Sequence, residues 1–215
     1  LTAGQKHQIR LDYRECGGNA TATLSWQSAR QSLSIIPASQ LYPAPPPAIA
    51  SITKNPSTAG SACFDDAGTE WTNPNNVMAS DNQYATIEND VDWSCSLRVT
   101  GFGFSVGTGA GQIPPNATIS GITMQIEGRG YYGNTANSSS FSLVKNGARV
   151  GGTKWLVFPS TESVSTLGTR YYTWGLNLTP SYVSTSDFGL EFDVPYYLYG
   201  SLHVDQVQLT VHYTQ

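Results

Sequence analysis

The strongest constraint on this chain is a two-residue alternation that recurs along its second half. In "ATISGITMQIEGRG", Ile122, Met124 and Ile126 stand opposite Thr123, Gln125 and Glu127, and in "VDQVQLTVHYT", Val207, Leu209, Val211 and Tyr213 share one parity. Side chains of a β-strand point alternately to its two faces, so each stretch reads as a strand with one buried side. "DFGLEFDVPYYL" places Phe188, Leu190, Phe192 and Val194 together, with Glu191 and Asp193 on the solvent side. "RYYTWGLNL" places Tyr172, Trp174, Leu176 and Leu178 on one side and reads as a further strand. In "SCSLRVTGFGFSV", Cys95, Leu97 and Val99 face one way and Phe102 and Phe104 the other, which predicts a bulge or bend at Gly101 to Gly103. Asn146-Gly147 in "SFSLVKNGARVGG" predicts a tight hairpin. A short strand is expected near Tyr84 to Ile87, and "TPSYVSTSDF" alone suits a helical turn, with Thr179 as cap and Pro180 at the first position. About eight strands and no long helical pattern predict an all-β chain, an antiparallel β-sandwich of jelly-roll type, although the alternation also permits a closed barrel.

The proline stretch "SQLYPAPPPAIASI" divides the chain unevenly. Pro43, Pro45, Pro46 and Pro47 cannot donate ladder hydrogen bonds, so residues 44–49 read as a linker, semi-rigid at roughly 3 Å per residue. Residues 50–215 suffice for a sandwich domain. Residues 1–43 hold two alternating segments, "HQIRLDYRE" and "ATATLSWQS", joined by "CGGN", which predicts a β-hairpin with Ile9, Leu11, Tyr13, Leu24 and Trp26 on its apolar face. An isolated two-stranded hairpin is marginal in water, so that face requires cover, from the sandwich or from a neighbouring subunit.

Charged residues make up only 12% of the chain, half the usual share, which suits the uncharged polar strand faces of an extracellular or virion protein. The net charge of -4, with no cluster of Lys and Arg, argues against nucleic acid as a partner. No apolar run reaches the ~18 to 20 residues a membrane-spanning helix needs. The start at Leu1, close to a strand pattern, is expected of a piece of something longer. Of three cysteines, Cys63 and Cys95 are expected to pair, the alternative being two buried thiols; Cys16 remains, as a free thiol or half of another bridge.

Catalysis finds little support. His7, His203 and His212 fall in strand-like stretches without a nucleophile elbow and read as surface histidines, and the acid pairs read as solvated. Asp65, Asp66 and Glu70 in "CFDDAGTE", and Glu88, Asn89, Asp90 and Asp92 in "ENDVD", offer hard oxygens suited to a structural calcium, without the spacing of a known loop. No other cofactor is expected. Tyr131 and Tyr132 in "GRGYYGN", with Tyr196, Tyr197 and Tyr199 in "PYYLYG", are the candidate binding residues, since such rings stack on sugars and anchor interfaces.

The order "LTAGQKHQIRLDYRE", "ATLSWQS", "IIPASQLYP" resembles the C-terminal end of a PA14 domain, a β-sandwich module of adhesins, glycosidases and toxins often linked to carbohydrate binding. The resemblance implies that residues 1–43 are the remnant end of such a sandwich, and it carries no site residue with it. Residues 50–215 resemble an uncharacterised β-sandwich module of bacterial surface and phage structural proteins, through "WTNPNNVMASDNQYATI", "LRVTGFGFSV", "IPPNATISGITMQIEGR", "VGGTKW", "TWGLNLTPSYVSTSDFGLEFDV" and "HVDQVQLTVHYT". The cysteine pair and the "VGTGAGQ" insertion depart from that pattern. Together the resemblances imply a non-enzymatic structural or adhesive protein on a cell surface or virion, assembling through sandwich surfaces and hairpin docking on itself or a neighbouring subunit. The alternative is a carbohydrate-binding module of a larger secreted protein, with glycans as partners.

Overall fold

A computed structural model describes Ile9 and residues 21–41, 48–63, 68–89, 94–132, 138–194 and 200–215; of Asn89 and Tyr132 only the backbone is described. The chain divides into two compact units, Leu1–Pro46 and Pro47–Gln215.

In the first unit β1 (Ser25–Ser28) pairs antiparallel with β2 (Gln31–Ile35), with Trp26 opposite Ser34 and Ser25 opposite Ile35. The strand that carries Trp26 therefore pairs across Ala29-Arg30 with the segment that follows it. This two-residue connection is the shorter closure, and "QSLSI", too polar to signal a strand, supplies the partner. Trp26 lies beside Ser34, whose Oγ accepts from the indole N–H at 3.0 Å, while Leu33 and Ile35 occupy the opposite face at 69% and 66% exposure. The apolar side chains are thus split between two faces. Leu11, Tyr13 and the expected "CGGN" turn lie outside the described residues.

The second unit is an antiparallel β-sandwich. One sheet contains β3 (Ala50–Lys54), β5 (Ala85–Asn89), β7 (Thr118–Tyr132), β10 (Ser163–Thr169) and β12 (Gly200–Thr214), in the order β10-β7-β12-β3, with β5 also paired to β12. The other contains β4 (Thr58–Ala62), β6 (Ser96–Thr100), β8 (Ser138–Lys145), β9 (Ala148–Val157) and β11 (Gly189–Asp193), in the order β4-β6-β11-β8-β9. Two separate sheets, rather than a closed barrel, are what the alternation produces here.

The inward residues are those of the expected parity. Ile122, Met124 and Ile126 of β7, Val207, Leu209 and Val211 of β12, and Leu190 and Phe192 of β11 are all buried. Each such side chain contributes roughly 1.5–3 kcal/mol relative to exposure, which is the main support of the sandwich. Phe192 anchors the aromatic centre, stacking on Phe141 at 4.7 Å between centroids and meeting Trp71 edge-on at 5.4 Å.

Local signals in the sequence translate into backbone geometry. Asn146 and Gly147 adopt φ of 52° and 74°, and Lys145 pairs with Ala148, so the hairpin closes on a left-handed two-residue turn. The Thr179 hydroxyl accepts from the Tyr182 N–H at 3.2 Å and caps the short helix α1 (Pro180–Val183). Gly101 and Gly103 have φ of 70° and 65°, and the bend they make turns Phe102 and Phe104 into the same core as Leu97 and Val99 rather than away from it.

"RYYTWGLNL" is not a strand. Trp174 and Gly175, at φ of 59° and 73°, break the extended run, yet the Trp174 indole is buried and donates to the Ile122 carbonyl at 3.1 Å. The edge strand in this region is β10, whose Ser- and Thr-rich sequence hides its parity. A disulfide joins Cys63 to Cys95, whose Cα atoms lie 4.4 Å apart.

Candidate functional site

The outer face of the β4-β6-β11-β8-β9 sheet carries one connected group of polar side chains. Alternation on β11 sends Glu191 and Asp193 outward, opposite Leu190 and Phe192. Glu191 is not the solvated acid its parity suggested: it is only 4% exposed, held between two arginines. Arg98 Nε of β6 donates to its Oε2 at 2.5 Å, and Arg149 Nε of β9 donates to its Oε1 at 2.7 Å. The rest of the Arg149 guanidinium reaches Asp193 with both terminal nitrogens and the Ser96 hydroxyl at 2.8 Å. Asp193 also accepts from Ser96 at 2.6 Å and Ser140 at 3.0 Å. Burial pushes the Asp193 carboxyl up, but the Arg149 and serine hydrogen bonds outweigh it and hold its pKa below the usual value. Those same carboxylates, Asp193 first, push the Arg149 pKa upward against the cost of its burial.

This group ends in an exposed indole. Trp155 of β9 lies directly opposite Ser140, on the outer face, and is 64% exposed. Ser142 and Thr153 fill the neighbouring row, hydroxyl to hydroxyl at 3.0 Å, and Gly60 and Ala62 of β4 keep the far end low. The span from β6 to β9 crosses three strand spacings, about 14 Å. Among the described residues, the two terminal nitrogens of Arg98 have no protein acceptor, and Nη1 lies toward Gly147 at the turn between β8 and β9, leaving a planar pair of donors on the same face as the indole. An apolar plate, a free guanidinium edge and several hydroxyls on a flat sheet form a surface that can hold a ring-shaped polar molecule.

The residues singled out in the sequence fall elsewhere. Tyr131 is 73% exposed on the outer face of the other sheet, opposite Ser201, with no described aromatic beside it. The Tyr132 side chain and Tyr196, Tyr197 and Tyr199 lie outside the described residues. Of the expected calcium ligands, Glu70 and Glu88 are exposed, while Asp65, Asp66, Asp90 and Asp92 lie outside the described residues. Instead Glu127, Glu162 and Asp205 meet, one carboxylate oxygen of each within 4.8 Å of the others. Sequence reasoning missed both groups. Trp155 ends "VGGTKW" on a strand whose twin glycines obscure parity, and the three acids lie far apart in the chain.

The two described histidines sit on the outer face of the β10-β7-β12-β3 sheet. His203 contacts the Ser201 hydroxyl at 3.0 Å, and His212 the Thr123 hydroxyl at 3.1 Å. Partial burial lowers both pKa values below 6.5, helped by Arg129 at His203 and Arg170 at His212. The unfolded chain then takes up these protons first. Their contribution is present above pH 6.5 and lost as pH falls through the folded values, whereas that of Asp193, whose ordinary value is 3.8, is lost only in stronger acid. Tm is expected to hold level from pH 8 to 7, decline below about 6.5, and decline again below about 4. In a His203→Asn, His212→Asn variant the first decline should shrink; an unchanged first decline in thermal melts would refute this assignment.

No protein-family model matches this chain, and no curated protein matches it. Neither sequence resemblance thus receives support from a matching family. Among solved structures, the chain is similar to one described as BiXyn10A CBM1 in its apo form, at 9% identity and a TM-score of 0.35, over 76% of this chain and 96% of that one. It is also similar to CBM35 from Cellvibrio japonicus Abf62, at 14% identity and a TM-score of 0.29, over 74% and 92%. Likeness at this level carries no argument about function, which has to be read from the surface itself.

Proposed function

We propose that the Pro47–Gln215 unit is a non-catalytic carbohydrate-binding module that holds an uncharged oligosaccharide across the outer face of the β4-β6-β11-β8-β9 sheet. The observation that carries this reading is the exposure of Trp155 at the end of the Ser96–Asp193–Ser140 row. A pyranose ring presents an apolar face of C–H groups and a rim of hydroxyls, so it stacks on an indole while neighbouring donors and acceptors take the rim. Arg98 supplies the donors, and Ser142 and Thr153 supply hydroxyls that both donate and accept. The ion pair to the buried Glu191 keeps Arg98 in place before a ligand arrives, and the Ser142–Thr153 hydrogen bond does so for those hydroxyls, which lowers the cost of ordering them. The Cys63–Cys95 disulfide fits an oxidising, extracytoplasmic setting, where polysaccharides are encountered.

Retention of the protein on a panel of immobilised polysaccharides tests the reading. Trp155→Ala is expected to weaken retention at least 30-fold with an unchanged thermal melt, since Trp anchors of this kind commonly contribute about 2 kcal/mol or more. Equal retention of the variant, or none by the parent across neutral glucans, xylans and mannans, would refute it.

A second reading, assembly through the first unit, is favoured by the exposed Leu33 and Ile35 of its hairpin. It predicts association that strengthens with concentration in sedimentation velocity and disappears in Leu33→Ser, Ile35→Ser. A monomer at all concentrations would rule it out.

A further inference from the structure

On the opposite sheet, far in sequence from any acid-rich loop, three carboxylates converge. Glu127 projects from the outer face of β7, Glu162 immediately precedes β10, and Asp205 comes from β12. The ladder explains the meeting. Val204 pairs with Gly128 and Gln206 with Glu127, so Asp205 is the extra residue of a β-bulge and is aimed out of register at Glu127. Val164 of β10 also pairs with Glu127, which brings Glu162 alongside. The loop before β5 lies over the bulge, tied down by the Met78–Gln206 bridge and by the Asp81 N–H, which donates to Asp205 Oδ1 at 3.3 Å.

Proximity of acids alone would mean little, but one of their oxygens is buried without a donor. Asp205 is 1% exposed, and the long Asp81 N–H bond to its Oδ1 is the described hydrogen bond it accepts. Glu162 Oε2 accepts from the Tyr84 hydroxyl at 2.6 Å, but its Oε1 is buried and has no hydrogen-bond partner. Among the described residues no Lys, Arg or His forms an ion pair with any of the three. The nearby cation, Arg129, lies instead over the Tyr84 ring, 5.0 Å from its centroid. A buried carboxylate oxygen without a donor is costly, and three carboxylates facing one another compound the cost.

We propose that Glu127, Glu162 and Asp205 bind a calcium ion. Calcium takes oxygen ligands at about 2.3–2.6 Å in flexible geometry, so two oxygens on one ion lie up to roughly 5 Å apart. The 4.8 Å limit that encloses this trio fits that span. Magnesium, with its shorter bonds, near-ideal octahedron and retained waters, suits a three-carboxylate cluster less well. The ion fastens β7, β10 and the β12 bulge together. It acts on the sheet opposite the saccharide face and is independent of saccharide binding.

The test uses the full chain, stripped with a chelator and dialysed, titrated calorimetrically with calcium alone and melted with and without it. One calcium per chain is expected, with a Tm several degrees higher at millimolar calcium and a smaller effect of equal magnesium. Glu127→Gln, Glu162→Gln should fold without the metal, because the repulsion is relieved, and show no calcium-dependent rise. Asp205→Asn should weaken binding at least tenfold and serves as a second readout should the double variant not fold. No binding heat and no Tm change in the parent, an undiminished rise in either variant, or an equal response to magnesium would each overturn the proposal.

Discussion

Glu191→Ala is expected to lower the unfolding free energy by about 1.5–3 kcal/mol, the range for losing hydrogen bonds between charged groups. The reason lies in what remains. Removing the carboxylate leaves Arg98 and Arg149 on a sheet face where both had been neutralised by the same buried acid, 4% exposed. Arg149 would keep Asp193, but Arg98 has no other described ion-pair partner. Asp187, itself 37% exposed, pairs with Lys145 at 2.9 Å and accepts from the Asn146 N–H at 2.8 Å; Asp187→Asn should destabilise less, because the amide keeps an oxygen for that N–H. Urea midpoints for the two variants check the difference. A loss below about 1 kcal/mol for Glu191→Ala would mean that the arginines relax into water and the network is not holding the sheet.

Loss of the disulfide should be at least as severe. Cys63 and Cys95 are separated by 32 residues, and opening a loop of that length restores chain entropy to the unfolded state worth about 3–4 kcal/mol. For a unit of this size, Cys63→Ser, Cys95→Ser should lower Tm by roughly 10 °C. Comparison of melts with and without reductant checks this, with reductant reproducing the variant's Tm in the parent. An unchanged Tm would mean that strand pairing alone confines the β4–β6 loop, since Ala62 pairs with Ser96 immediately beside the bridge.

What the sequence revealed depended on how strictly residues kept to parity. The long strands β7 and β12 were readable because Ile122, Met124 and Ile126, and Val207, Leu209 and Val211, alternate without interruption. The Asn146-Gly147 turn and the Thr179 cap were readable because their chemistry is local. β10 escaped because serine and threonine fill both of its faces, and the apparent strand around Trp174 misled because hydrophobic spacing survives a left-handed break. The candidate sites were the least legible part. Arg98, Arg149, Glu191, Asp193 and Trp155 come from three strands, and only the order β6-β11-β8-β9 makes them neighbours. Glu191 looked solvated because parity tells which way a side chain points, not what reaches across to cover it. The tyrosine pairs, conspicuous as "YY" in the sequence, supplied composition without placement.

The most direct test of the saccharide face is the indole N–H region of a two-dimensional nitrogen–proton NMR spectrum, recorded while a soluble neutral oligosaccharide is added. Trp155 is exposed on the proposed face, whereas Trp71 and Trp174 are buried, with indole N–H groups committed to the Cys95 and Ile122 carbonyls at 3.0 and 3.1 Å. Saccharide binding on this face predicts a saturable shift of the Trp155 indole resonance together with the Arg98 side chain, while those of Trp71 and Trp174 stay fixed. A saturable shift centred instead on Tyr131, with Trp155 unmoved, would contradict it.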